Sequence, residues 1–401
     1  MKHPVPLRGR PDALAYVAVA YVAAALLPLV PQLALASPLI RFCPAAQVRT
    51  YPLESLREIQ GLLLQNVAII NPDRSALRVD AITVALLHAG AVQEQRFLST
   101  QEIAGIARRS QQLGESGAMA LISFQFCGQE LLEPGERPAG QTLAQHEALL
   151  VMQQVFALNA PADTLRVHVT GDVDGKPVEV SGDLPIRSDL SKITYRFPLR
   201  GVWYAGVGPT FHTGHRWVLP EEFAFDIARL GKGGLTHAGN GTRFSDYYAY
   251  GSPVYAAAAG RVIVAHDGEQ EDPKAMRQPA ETQEMYVKRL QAEQETRLKT
   301  GLGGIAGNYL MLDHGNGEYS LYAHLKPSSV LVRVGQSVRE SEPLGRLGSS
   351  GNSTEPHLHF QLCDRPAPLQ CAGIPIAFKQ IEIPWADLPR PLQSGDVLIA
   401  R

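Results

Sequence analysis

Between residues 48 and 186 apolar side chains recur at alternate positions in short runs that end in turn residues, the period of half-buried strands. Residues 61–70 are apolar up to the turn at Asn71, Pro72 and Asp73, and Ile82, Val84 and Leu86 alternate with smaller residues. Stretches 119–127 and 147–158 read as further strands. Leu165, Val167 and Val169 alternate with Arg166, His168 and Thr170, and Asp174 and Gly175 mark a hairpin before Val178 and Val180. Only residues 101–112 look helical. Many strands with regular turns predict an antiparallel β-sandwich of immunoglobulin-like type over residues 37–190. Its histidines (His88, His146 and His168) have no partner at ligand spacing and are read as surface or packing residues. This half carries no chemistry of its own and is expected to be a positioning or binding module, or a spacer.

From about residue 191 the texture changes. A turn and strand over 251–264, a hairpin of 308–314 with 318–325 about Gly315, Asn316 and Gly317, and strands at 330–338 and 344–347 predict an antiparallel sheet or barrel-like domain through residue 401. A charged insert at about 268–304 interrupts it. Residues 281–299 are helix-like, with Glu284/Lys288, Glu293/Arg297 and Glu295/Lys299 four apart, and Gly301, Gly303 and Gly304 end the helix. Its apolar stripe is poor, so the insert reads as a solvated excursion, with a flap beside a groove as the other reading. The fold class is therefore mostly β, with one helical insert.

Within this half the alternation also sorts chemistry. On a strand over 357–362, His357, His359 and Gln361 share one face while Leu358, Phe360 and Leu362 share the other. The two imidazoles then stand about 6–7 Å apart, close enough for one to bind a metal and the other to act on what the metal holds. Ser320, Tyr322 and His324 likewise share a face opposite Leu321, Ala323 and Leu325. Phe223, Phe225 and Ile227 place Asp226 on the reverse side of their strand. An aspartate between apolar residues is costly to bury unless it is paired or metal-bound; Arg229 is a nearby partner for the simpler case. Asn308 and Tyr322 are read as orienting or packing residues, His266 and His314 as structural, and His237 as solvated in a Gly-rich loop.

Composition adds limits. The 401 residues are 45% hydrophobic and 19% charged, enough for two or three cores, and a net charge of −2 gives no reason to expect nucleic acid. Lys2, Arg8 and Arg10 precede an uncharged apolar run over 13–30, followed by Ala34, Leu35 and Ala36. That is the pattern of an export signal at residues 1–36 cut before Ser37, with an uncleaved inner-membrane anchor as the alternative. Either way the bulk of the chain is expected in the periplasm or outside the cell. The four cysteines fall two to each half, which makes Cys43–Cys127 and Cys363–Cys371 the most economical pairing of three.

Asp226, Tyr322-Ala-His324-Leu325 and Pro356-His-Leu-His-Phe360, with Gly251-Ser-Pro-Val254 and Val334-Gly-Gln-Ser-Val338 between, resemble the lysostaphin-type (LytM-like) zinc metallopeptidases of bacterial cell walls over about residues 195–380. The resemblance implies Asp226 and His359 as zinc ligands and His324 and His357 as the catalytic pair. The family's first ligand is a histidine four residues before the aspartate, and here that position is Glu222. Two histidines lie further upstream; His215 is chosen first, His212 second and Glu222 third, because two imidazoles and one carboxylate leave zinc a fourth position for water. Gly214 is expected to let the backbone turn the His215 ring inward. A second departure, Glu355 in place of the usual glycine, bears on substrate fit.

The resemblance implies a zinc endopeptidase acting on the peptide cross-links of peptidoglycan. Its rival is an inactive member of the same fold that activates another wall hydrolase. A lipoyl-like carrier, prompted by Gly260-Arg-Val262 and Val334–Val338, leaves the histidines unexplained.

Overall fold

The computed structural model describes residues 38–54, 58–115, 138–276, 278 and 281–401. The export segment, the strand expected at 119–127 and the Cys43–Cys127 bond fall wholly or partly outside these residues. Among the described residues no helix is long and apolar enough to cross a membrane.

The first half contains strands β1 (Leu39–Cys43), β2 (Val48–Glu54), β3 (Ile59–Ile70), β4 (Leu77–His88) and β5 (Ala91–Leu98), then helix α1 (Thr100–Glu115). It continues with β6 (Thr142–Leu143), β7 (Ala148–Leu158), β8 (Thr164–Val173) and β9 (Lys176–Arg187). Strand β3 pairs with β1, β2 and β7, while β9, β8, β4 and β5 lie side by side; a short parallel contact of β2 with β9 links the two sets. Val84, Val167 and Val151 meet in one core. Helix α1 turns Ile103, Ile106 and Ala107 inward. A capping box starts it: Ser99 donates to the Glu102 carboxylate at 2.7 Å and accepts from the Glu102 amide.

Strand β3 does not alternate in burial; residues 61–69 are all buried. Continuous burial of this kind, Gln65 and Asn66 included, belongs to a strand covered on both faces. Leu62, Leu64 and Val67 face the first core. Ala68 instead packs with Ala148, Leu150 and Leu219, the last from the second half of the chain.

The second half forms β10 (Tyr195–Arg196), β11 (Gly201–Val207), β12 (Phe225–Ala228), β13 (Pro253–Tyr255) and β14 (Gly260–His266). The insert follows, with α2 (Gln283–Lys299) and α3 (Leu302–Ala306). Then come β15 (Asn308–Asp313), β16 (Tyr319–Leu325), β17 (Ser337–Val338), β18 (Pro343–Arg346), β19 (Leu358–Cys363), β20 (Phe378–Lys379), β21 (Ile381–Glu382) and β22 (Val397–Ala400). Nine of these strands make one antiparallel sheet in the order β17-β14-β15-β16-β19-β12-β11-β22-β21. The sheet is open, and the barrel-like closure considered from the sequence does not occur among the described strands. Phe225, Ile227, Leu358, Phe360 and Leu362 face one core, as their alternation predicts. On the reverse face a small apolar cluster of Met311, Leu321, Cys363 and Cys371 adjoins the polar side chains of β19 and β12.

The insert helix starts where Thr282 accepts from the Met285 amide. Its best ion pairs are Arg289 with Glu281 at 2.8 Å and with Glu293 at 2.9 Å. Glu284 and Lys288, one of the pairs expected from spacing, stand 4.0 Å apart on the exposed side. Arg297 reaches the Gly351 carbonyl, while Glu293, expected from spacing to pair with it, meets Arg289.

Candidate metal centre

Register brings the first two site residues together. In the β12–β19 pairing Asp226 lies directly opposite His359, and directly opposed residues in an antiparallel pair have Cβ atoms about 4.5–5.5 Å apart. His359 Nδ1 is 3.0 Å from Asp226 Oδ1. His359 Nε2 donates to Gln361 Oε1 at 2.8 Å, since an amide oxygen only accepts. Gln361 keeps that orientation because its own amide nitrogen faces the Cys363 sulfur and the Pro368 carbonyl. Cys363 and Cys371 form a bonded pair with Cα atoms 5.4 Å apart. Gln361 received no role from the sequence; its place on the His357/His359 face was the one available signal.

His215 enters from a loop. It opens a short 3-10 turn, His215–Trp217, and a second turn, Leu219–Glu221, leads into β12. Its Nε2 is 3.4 Å from Asp226 Oδ2, and its ring meets that of His359 edge-on at 5.0 Å. Gly214 has φ −63°, open to any residue, so glycine's freedom is not what turns the ring inward. One ligand atom from each of His215, Asp226 and His359 falls within 4.8 Å of the others. His212 does not join them; its Nε2 lies beside Thr210. Glu222 points the other way, into an ion pair with Arg216 at 2.8 Å, and both side chains are almost wholly buried. Glu221 is the carboxylate that faces the centre, 3.6 Å from His215 Nε2. Spacing drew the sequence reading to Glu222, and the 3-10 turn puts its neighbour there instead.

Asp226 does not pair with Arg229, which stacks over Trp203. Its neighbours are the imidazoles of His215, His357 and His359. Burial alone would raise its carboxyl, but these rings hold it well below the usual range. For His359, burial opposes charge, yet Asp226, Glu221 and Gln361 push the imidazole up to about 9. The pocket thus favours positive charge at its middle. Two imidazoles and one carboxylate, with the far nitrogen of His359 held by the Gln361 amide, suit zinc. His215 Nδ1 is buried without a hydrogen-bond partner, and Nε2 is the ring atom that faces Asp226.

His324 and His357 lie beside this group, their ring centroids 4.7 Å apart. His324 does not reach the site by strand alternation. Tyr322 packs in the core against Phe360, and Leu325 is in the same core, so simple parity would aim His324 inward with Tyr322. A φ of 61° at His324 breaks the alternation and carries the ring to the opposite face. That conformation is uncommon for a side chain with a Cβ. Its ring is held there by Nδ1, which donates to the Ser350 carbonyl at 2.8 Å. Ser350 is anchored in turn through its hydroxyl to the Leu325 carbonyl and the Asn308 amide. Asn308 therefore supports the site at one remove, while Tyr322 serves the core. His357 Nδ1 donates to the Glu355 carbonyl at 2.7 Å, and its Nε2 is 3.4 Å from Asp226 Oδ1. Burial and the neighbouring imidazoles hold His324 well below its ordinary pKa. For His357 burial again opposes charge, but Asp226 and the Glu355 carbonyl outweigh it and raise the ring.

The other histidines keep their structural reading: His314 bridges the Ala259 carbonyl and Ser320, and His266 pairs with Glu269. His237, expected to be solvated, is half-buried against Tyr247. It lines a cavity of about 530 Å³ together with Tyr286 and Glu355. The Glu355 carboxylate accepts from Thr236 there. A much smaller cavity, about 30 Å³, touches His324 and His359. Its walls include Leu302, Ile305 and Ala306 of α3, so the end of the insert is a wall of the site and the flap reading describes it better than a solvated excursion.

Residues 239–370 match the family model described as Peptidase family M23. The match holds His324, His357 and His359 and begins after His215 and Asp226. A stretch of 98 residues is 42% identical to peptidoglycan DD-endopeptidase ShyA of Vibrio cholerae, covering 24% of this chain and 22% of that protein. Another, of 104 residues, is 36% identical to DD-carboxypeptidase/endopeptidase Mpg of Neisseria meningitidis, covering 25% and 23%. The chain thus spans less than a quarter of the length of these relatives. Among solved structures, the catalytic domain of lysostaphin from Staphylococcus simulans aligns at 20% identity and a TM-score of 0.24, covering 43% of this chain and 86% of that one.

Proposed function

This chain carries a peptidase family M23 domain, and from that premise we propose that it is a zinc-dependent endopeptidase, exported from the cytoplasm, that hydrolyses peptide cross-links of peptidoglycan. The observation that carries the reading is the convergence of His215, Asp226 and His359 within 4.8 Å, with two further imidazoles alongside. Zinc held by these three would supply a Lewis acid and bring the pKa of water down to about 7.

The protein's own groups divide the proton work. Each of His324 and His357 donates its Nδ1–H in a hydrogen bond to a backbone carbonyl, so Nε2 is the atom each offers to the reacting groups, His357 from beside Asp226 Oδ1 at 3.4 Å. Environments that push two titratable groups apart assign acid and base. His324, kept neutral by burial, takes the proton of the attacking water. His357, raised beside Asp226, carries a proton and offers it to the oxygen on which charge develops. His324 then returns its proton to the leaving amine. Asp226 steadies both His357 and His359 from the floor of the site.

An inactive member of the same fold is the alternative, and its expected mark is loss of site residues; here all five positions hold a histidine or aspartate. The experiment is incubation of zinc-loaded protein with purified peptidoglycan, followed by mass analysis of the released fragments. New amino termini within cross-links, absent with His359→Ala, support the proposal. Intact peptidoglycan with a fully zinc-loaded protein would favour the inactive reading.

A further inference from the structure

Two glutamines from the first half of the chain reach into the loop that carries His215. Gln65 on β3 and Gln153 on β7 stand across from each other, between the register pairs Leu64–Gln154 and Asn66–Met152. Gln153 has φ 54°, a left-handed kink at this one point of the strand. Gln65 Nε2 donates to the Arg216 carbonyl at 3.0 Å, and Gln153 Nε2 to the next carbonyl, Trp217, at 3.3 Å. These are the two residues that follow His215.

The same loop is gripped at three other places. Arg216 runs back toward β3, 1% exposed, with its guanidinium over the Phe223 ring at 4.6 Å and Nη2 3.4 Å from the Gly61 carbonyl. Gly61 leaves room for Phe211; a Cβ there would stand 2.6 Å from the Phe211 ring. Leu219 is buried among Cys43, Ala68, Ala148 and Leu150. The loop therefore has one face on the metal centre, through His215 and Glu221, and its other face on the first half.

We infer that the first half of this chain is the supporting wall of the metal centre, with Gln65, Gln153 and Gly61 as positioning residues that fix the His215 loop. The inference rests on His215 being a ligand. A short loop of 3-10 turns has little stiffness of its own, and ligand geometry must hold to about 0.5 Å for tight binding. Strands β3 and β7 supply the stiffness that β12 gives Asp226 and β19 gives His359.

The test is zinc affinity of the full chain by chelator competition, with the visible spectrum of the cobalt-substituted protein as a report on ligand geometry. Gln65→Leu keeps the side-chain size and removes the bond to the Arg216 carbonyl; Gly61→Val displaces Phe211. Each is expected to weaken zinc binding about 10–100-fold, the scale of losing outer-shell support, and to shift the cobalt spectrum toward that of His215→Ala, at native far-ultraviolet circular dichroism. If Gly61→Val does not fold, Gln65→Leu decides. Parent affinity and an unchanged cobalt spectrum in folded Gln65→Leu, while His215→Ala loses zinc, overturn the inference alone. Parent affinity in His215→Ala overturns the ligand reading beneath it.

Discussion

Each of the five site residues is held by a contact that limits what it can do. His215, Asp226 and His359 turn ligand atoms toward one another, whereas His324 and His357 donate Nδ1–H to carbonyls, and the proposed mechanism uses their Nε2 atoms. Accordingly, His324→Ala and His357→Ala should retain one zinc per chain and lose turnover by about 10²–10⁴-fold. His215→Ala and His359→Ala should lose the metal, and His212→Ala and Glu222→Gln should keep it. Metal analysis of the folded variants with initial rates checks all six. Gln361→Leu removes the acceptor of the His359 Nε2 proton and should weaken zinc about 10–100-fold, read by chelator competition. The His357/His359 pair and Asp226 were legible as residues because alternation puts them on the polar faces of their strands. His324 was legible by resemblance only: its φ of 61° defeats the parity that otherwise governs β16. Gln361 was legible only as sharing the His357/His359 face, and Glu221 not at all, since what each does depends on which neighbour its side chain meets.

At the scale of elements, strand positions were easier to read than strand partners. The alternation over 357–362 fixes which side chains share a face, but the pairing of Asp226 with His359 joins residues 133 apart and depends on β19 lying between β16 and β12. The insert helix was readable from charges four apart and the glycines that end it. What those charges do not reveal is α3 behind it, whose Leu302, Ile305 and Ala306 line the small cavity of about 30 Å³ beside His324 and His359. The expectation is that α3 narrows the approach of a peptide to His324. Gly301 and Gly307, at φ 78° and 64°, flank it. Replacing Leu302 and Ile305 together by alanine should widen the cavity and raise the initial rate on purified peptidoglycan several-fold. An unchanged or lower rate, with zinc content intact, would show that α3 is not the barrier.

The whole molecule was legible as two apolar assemblies but not as one machine. Composition and periodicity predict two β-rich halves; among the described residues the two larger apolar clusters lie one in each, and a third joins them through Ala68 and Leu219. Their junction was hidden because it consists of groups that look unremarkable in sequence: Gly61, Gln65, Arg216 and Glu222. Burying Arg216 and Glu222 together is tolerable because they neutralise each other, and removing one partner strands the other in an apolar pocket. Glu222→Ala is therefore expected to destabilise the chain by about 3–5 kcal/mol, measured by urea unfolding, with the loss spread over both halves if they unfold together. The central claim, that His215, Asp226 and His359 hold a catalytic metal, is tested most directly by zinc content of purified His215→Ala beside the parent. One zinc per parent chain and none per folded His215→Ala chain is the predicted result; full zinc in folded His215→Ala would contradict it.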